Sequence, residues 1–315
     1  MFFQEVLINL SEVLFLLILK KINLMKDSLL TEKKKKEIIK LIKEKDHAGI
    51  ISILEKIKTD HAGTAKTKDK MFVVREIVKY IIENSKNREK DFFETGKYLC
   101  SRKEDVAKEL GISMVWRGYG FNKKEVKELL LKTADHTNWE VREYAASAFA
   151  NTHYENRDIY KDLQKWANHP SENVRRAVVF SALSLRDKEN LSKAFSLLET
   201  LMFDNSKYVK KNLGPFILGS LFGNKFPRET VRQLKKWSRI RDGNVRWNII
   251  MSFNNSFGNR YPEEALGVIK YFIGDADLTV KRAMLSTLRF LSKKNKKSVI
   301  EFQKKYKLNI IKEAD

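Results

Sequence analysis

"DLQKWANHPSENVRRAVVFSAL", residues 162–183, contains both halves of the pattern that decides the fold. A helical stretch ends in apolar residues, a short polar connector follows, and Val174 opens a second helical stretch. After Val174, the apolar residues Val178, Val179 and Ala182 fall at the fourth, fifth and eighth positions, one face at the helical period. The same valine returns along the chain: Val106, Val141, Val174, Val209, Val245 and Val280 are 35, 33, 35, 36 and 35 residues apart. Each follows a polar connector, such as "DHTNWE", "DNSKY", "RDGN" or "DADLT". Two helices per unit at a period near 35 predict an all-α fold, an α-solenoid of HEAT-like repeats. Trp166, Leu201, Trp237 and Phe272 each stand eight residues before a repeat valine, and a position shared by such residues reads as core.

The repeat register divides the chain. The array is expected over 91–295, with an N-terminal helical cap over 25–90 and a C-terminal capping helix over 296–315. The first 24 residues are the most apolar stretch, yet they lack a basic leader and a small-residue cleavage site. Their longest uncharged apolar run, Val13 to Leu19, is far shorter than the ~20 residues a spanning helix needs. Segment 1–24 therefore reads either as an amphipathic cap or as lying upstream of a natural start at Met25; we favour the second, because "MKDSLLTEKKKKEIIKLIKEK" has the character of a native amino terminus.

Lys and Arg total 62 against 40 Asp and Glu, a net charge of +22 in a chain that is 43% hydrophobic. So apolar a chain folds, and so large a cationic excess implies a polyanionic partner, nucleic acid or an anionic membrane surface. The single cysteine, Cys100, excludes an internal disulfide and a multi-cysteine zinc site, and the five histidines have no ligand spacing, so no metal or cofactor is expected.

From Val141 onward the residue after each repeat valine is Arg142, Arg175, Lys210, Arg246 and Lys281, and the next is Glu143, Arg176, Lys211, Trp247 and Arg282. Cations recurring once per repeat can follow a phosphate backbone. The competing reading is structural: a cation here often pairs with an acid, and Asp204 and Asp275 are placed to serve. Glu143 is the only acid in either column, and Trp139 is the only aromatic at its connector position, where other units have Glu172, Lys207, Gly243 and Leu278. A carboxylate in a cationic, nucleic-acid-binding groove repels its ligand, so its presence points to chemistry, unless it is a plain salt bridge to Arg142 or Arg176.

"NWEVREYAASAF", the stretch quoted first and "DNSKYVKKNLGPFILGSLFGNKFPRETVRQLKKW" resemble the AlkC/AlkD-type DNA alkylation repair glycosylases, over roughly residues 100 to 290. The resemblance implies a helical-repeat protein that binds duplex DNA in a concave groove and excises N-alkylated purines. It puts the family's carboxylate on Glu143, followed by an aromatic, Tyr144, as in AlkC-like members. It puts the aromatic preceding the acid on Trp139 and the groove arginine on Arg176. The second tryptophan of AlkD-like members falls on Pro215, and "AVVFSALSLRD" does not reproduce the AlkC segment that follows "VRR".

The function so implied is hydrolysis of the N-glycosidic bond of 3-methyladenine or 7-methylguanine, with Glu143 and Trp139 as catalytic residues. Arg142, Arg175, Arg176, Lys210, Lys211, Arg246, Trp247 and Lys281 are the expected DNA contacts, mainly to phosphates of duplex DNA. A cytoplasmic monomer, nucleoid-associated in a prokaryote, is the expected setting. Two other readings stay open: a non-catalytic binder of duplex or branched DNA, which Pro215 favours, and a protein-interaction scaffold, which has no need of a one-sign stripe.

Overall fold

The computed structural model describes residues 28–309 apart from Arg186. Segment 1–24, the Met25 start and residues 310–315 of the expected C-terminal helix lie outside the described residues. Among the described residues every regular element is a helix, and Lys58 and Ala65 form an isolated antiparallel bridge. The fold class is all-α and of the HEAT-like repeat kind read from the sequence. The chain divides into two compact units, Met1–Leu163 and Gln164–Asp315.

The first unit holds α1 (Glu32–Lys43), α2 (His47–Glu55), α3 (Thr67–Asn84), α4 (Arg88–Ser101), α5 (Asp105–Val115), α6 (Lys123–Ala134) and α7 (Trp139–Glu155). Helices α3, α5 and α7 pack in succession as one layer, while α4 and α6 form the other. Helix α8 (Tyr160–Trp166) spans the junction. The second unit holds α9 (Glu172–Ser181), α10 (Leu191–Leu201), α11 (Lys207–Asn212), α12 (Pro227–Trp237), α13 (Gly243–Met251), α14 (Ser256–Arg260), α15 (Pro262–Ile269), α16 (Leu278–Ser292) and α17 (Lys296–Lys305). There α9, α11 with its continuation, α13 and α16 make one layer, and α12, α15 and α17 pack beside it.

The repeat valine is the keystone of every second-layer helix: all six are fully buried, at 0% exposure. Three residues before each valine from Val141 onward sits a helix N-cap, namely Asn138, Ser171, Ser206, Asp242 and Asp277. Each cap's side-chain oxygen accepts from the second or third amide of its helix, as from Glu140 N to Asn138 at 2.9 Å and from Asn244 N to Asp242 at 2.8 Å. This is why the connectors are polar: each satisfies amides that the first helical turn leaves without a partner. Trp166, Leu201, Trp237 and Phe272 are all buried, as a core position requires.

Two features set close helix spacings. Gly96 in α4 and Gly111 in α5 face each other, so that a Cβ on Gly96 would sit 2.6 Å from Val115 N and one on Gly111 2.7 Å from Cys100 N. In the second unit the helix begun by α11 widens to π geometry over Leu213–Gly223. Pro215 has no N–H to give to the residue four back, and Ser220 Oγ and Asn255 Nδ2 donate to its carbonyl at 3.1 and 2.9 Å.

Candidate nucleic-acid interface and its acid

Helix α7 carries the two irregular residues of the sequence on one side, a turn apart. Trp139 is its first residue and only half-buried, with the His61 ring edge-on at 5.2 Å and 79°. Glu143, four residues on, is 7% exposed. The start of α7 is held from outside the helix: Asn138 Nδ2 donates to Ala62 O at 3.0 Å and to Asp105 Oδ2 at 2.9 Å. The connector between α2 and α3 thus reaches over and supports the site, through His61 and Ala62. No repeat register covers that connector, so the sequence reading missed it.

Beneath the same helical turn lies an ionic cluster that left no local trace in the sequence. Lys70 of α3 is fully buried, with its ammonium 2.7 Å from Glu109 of α5 and 2.8 Å from Glu140 of α7. It donates to Thr64 Oγ1 at 3.0 Å, and that hydroxyl donates to Glu140 at 2.8 Å. The ring of Tyr144 lies 5.0 Å from the ammonium. Two carboxylates share one ammonium away from water. Burial, with Glu140 close by, pushes the Glu109 carboxyl up to about 8, against the attraction of Lys70. A proton on Glu109 makes the cluster neutral. Next to it Ser113, Trp116, Arg117, Tyr144, Ser147 and Asn151 line a cavity of about 30 Å³, room for water but not for a nucleobase. Arg117, stacked on Trp116 at 4.2 Å, is lowered to about 9 by its burial.

Four of the five cations of the first basic column, Arg142, Arg175, Lys210 and Arg246, have structural partners. Arg142 donates to His136 O and Thr137 O at 2.8 and 2.7 Å, and Arg175 repeats this on His169 O and Pro170 O, both at 2.8 Å. Arg175 also pairs with Asp204 at 2.6 Å and Arg246 with Asp275, the two acids that the structural alternative required. Each of these acids accepts from its own connector as well, at Ser206 N (2.8 Å) and Asp277 N (2.9 Å), so that the pairs lock one repeat to the next. Lys210 is buried, donates to Asn244 Oδ1 at 2.8 Å and lies 4.7 Å over the Trp247 ring; burial pulls its ammonium below the ordinary lysine value. The Arg176 guanidinium lies 4.7 Å from both the Phe180 and Tyr208 rings.

Lys211 and Lys281 stand exposed, as does Arg282. Arg282, Arg289 and Lys293 line one side of α16, with Asn254 and Ser286 between them. Their spacing of seven and four residues was readable as one helical face, but only Arg282 fell in a repeat column. Pro215 is half-buried, and its aromatic neighbour Phe216 is turned into the core against Phe180 at 6.0 Å.

Capped helix pairs around a buried valine define a helical-repeat protein, with an indole and a carboxylate one turn apart on α7 and exposed cations on α11 and α16. Residues 70–220 match the family described as DNA alkylation repair enzyme, and the match falls on the stretch where the sequence carries its resemblance. Trp139, Glu143, Arg176 and Pro215 all fall inside it. No curated protein matches the chain. Among solved structures, YibA of Escherichia coli is 14% identical at a TM-score of 0.38, covering 90% of this chain and 100% of that one. A designed armadillo repeat protein in complex with the peptide (KR)4 is 17% identical at 0.28, covering 64% and 99%. At these scores neither likeness carries an argument about this chain. Among the described residues no helix is long and apolar enough to cross a membrane.

Proposed function

We propose that the protein is a DNA N-glycosylase that removes N3- or N7-alkylated purines from duplex DNA, with Glu143 and Trp139 as its catalytic residues. The observation that carries this reading is the placement of a nearly buried carboxylate one turn from a half-exposed indole, inside the DNA alkylation repair domain. An alkylated purine of this kind is cationic, so the C1′–N bond breaks with its electron pair going to the base, which departs neutral. Positive charge then builds on the deoxyribose. A preorganised carboxylate at that point stabilises the charge, and Glu143 also orients the water that adds at C1′ and accepts its proton. The Trp139 face contributes a cation–π contact to the same charge.

In this reading the exposed cations Lys211, Lys281, Arg282, Arg289 and Lys293 take phosphates. Arg142, Arg175 and Arg246 hold the connectors in shape and present what remains of their charge. The protein acts as a monomer with no cofactor. A second reading, a binder of duplex DNA without chemistry, is favoured by Pro215, which offers no ring where the resemblance places a second aromatic.

The test is release of methylated base from alkylated duplex DNA by the purified protein. Glu143→Gln keeps the shape and removes the charge, and is expected to slow release by ~10²–10³ while DNA affinity stays equal or rises. Trp139→Ala is expected to lose roughly two- to thirtyfold, the size of a cation–π term of about 0.5–2 kcal/mol. A wild type that binds DNA tightly and releases no base establishes the non-catalytic reading instead.

A further inference from the structure

Helix α12 buries Val231, Leu234 and Trp237 on one face. Its other face, with the turn that follows, is basic: Arg228, Arg232, Lys235, Lys236 and Arg239 are all exposed, at helical spacings of 4, 3, 1 and 3. At 1.5 Å per residue the ridge runs about 16 Å. Among the described residues none of the five is ion-paired to a carboxylate, unlike Arg175 and Arg246. Together with Tyr261 and Glu264 they line an open trough of about 860 Å³. The one acid of α12, Glu229, pairs with Lys188 and not with the ridge. In the neighbouring helices α10 has Lys193 offset by Glu199, and α15 has Glu263 and Glu264 with no cation. The ridge also belongs to a different layer from the columns: α12 packs beside α15, whereas Arg246 and Lys281 lie on α13 and α16.

We propose that the α12 ridge is a second polyanion site that takes the phosphate backbone of duplex DNA, so that one molecule holds two DNA segments. The chemistry selects this occupant. A peptide partner needs an apolar anchor pocket, and the apolar side chains of α12 are spent in the core. A membrane-binding helix inserts its apolar face, which is unavailable for the same reason. A single strand needs exposed rings for stacking, and Tyr261, the one ring in the trough, is half-buried. A line of unpaired cations with no base-reading element fits phosphates and no particular sequence.

The experiment loads the full chain on bead-tethered duplex DNA at limiting protein and measures capture of a second, fluorescent duplex. Wild type is expected to capture it at about 50 mM salt and to lose about a hundredfold by 200 mM, the consequence of roughly four phosphate contacts. The exposed-site variant Arg228→Gln/Arg232→Gln/Lys235→Gln/Lys236→Gln is expected to lose capture at least about tenfold at low salt. It should bind the first duplex and release alkylated base as wild type does. The charge reversal Arg232→Glu/Lys236→Glu should reproduce the loss from only two changes. Equal capture by both variants, no capture by wild type, or capture that grows with the square of protein concentration would each overturn the proposal. So would displacement of the second duplex by polyglutamate, by anionic vesicles or by double-stranded RNA at lower concentration than by duplex DNA. Base release on the same preparations reports separately on the glycosylase reading, which can fail while the ridge still captures DNA.

Discussion

Lys70, Glu109 and Glu140 show how a few atoms can hold a site in place. Glu140 adjoins Trp139 and sits three residues before Glu143, so the cluster fixes the turn of α7 that carries both. Lys70→Met would leave two buried carboxylates facing each other, and is expected to cost about 3–5 kcal/mol in urea unfolding. A loss below about 1 kcal/mol would mean the cluster contributes little. Glu109 predicts a pH dependence. The unfolded chain releases this proton near the ordinary carboxylate value, while the folded chain holds it up to about 8. Between those values the folded state binds more protons, so stability falls as pH rises from about 4.5 to about 8, and levels off above. Glu109→Gln should flatten that part of the curve, gaining on wild type at pH 9 relative to pH 5. Parallel melting-temperature curves for the two proteins would refute the assignment. Neither Glu109 nor Glu140 was legible as a site residue, because their meeting depends on three helices of distant sequence.

The helices are legible one at a time, and their spacing is not. A periodic apolar face and a polar cap are local signals, so the second-layer helices start where the connectors say they start. The recurring cap three residues before each valine was present in the sequence and marks the repeat as clearly as the valine does. The close approach of α4 and α5 left only two glycines as a trace, and a glycine inside a helix has several explanations. Gly111→Ala would drive a Cβ to 2.7 Å from the Cys100 amide nitrogen, which is backbone and cannot turn aside. It is expected to cost about 1–3 kcal/mol, and Gly96→Ala a similar amount. Gly267→Ala meets nothing within 4 Å, so in the same thermal melts it should stay near wild type or gain slightly. If all three behaved alike, the helix contact would not be the cause.

Taken as a whole, the chain has a charge of +22, with some of its cations paired inside the fold and others exposed. Binding to duplex DNA should be steeply salt-dependent and nearly indifferent to sequence. Lys211→Gln/Lys281→Gln removes two exposed cations and should lower the log–log salt slope by about two units. Asp204→Asn, which frees the guanidinium of Arg175 from its partner, should leave the slope equal or steeper while lowering stability. A shallower slope for Asp204→Asn would show that the pair itself is needed to bind DNA. The sequence by itself determined the class of fold, the repeat period and which residues are core, because a buried face must recur at the helical period and every helix must be capped. It also exposed Glu143 and Trp139, as breaks in a regular column. It could not divide the cations. Whether an arginine reaches solvent or an aspartate 29 residues on depends on how one repeat stacks on the next, and the same stacking buries Lys210 while leaving Lys211 exposed.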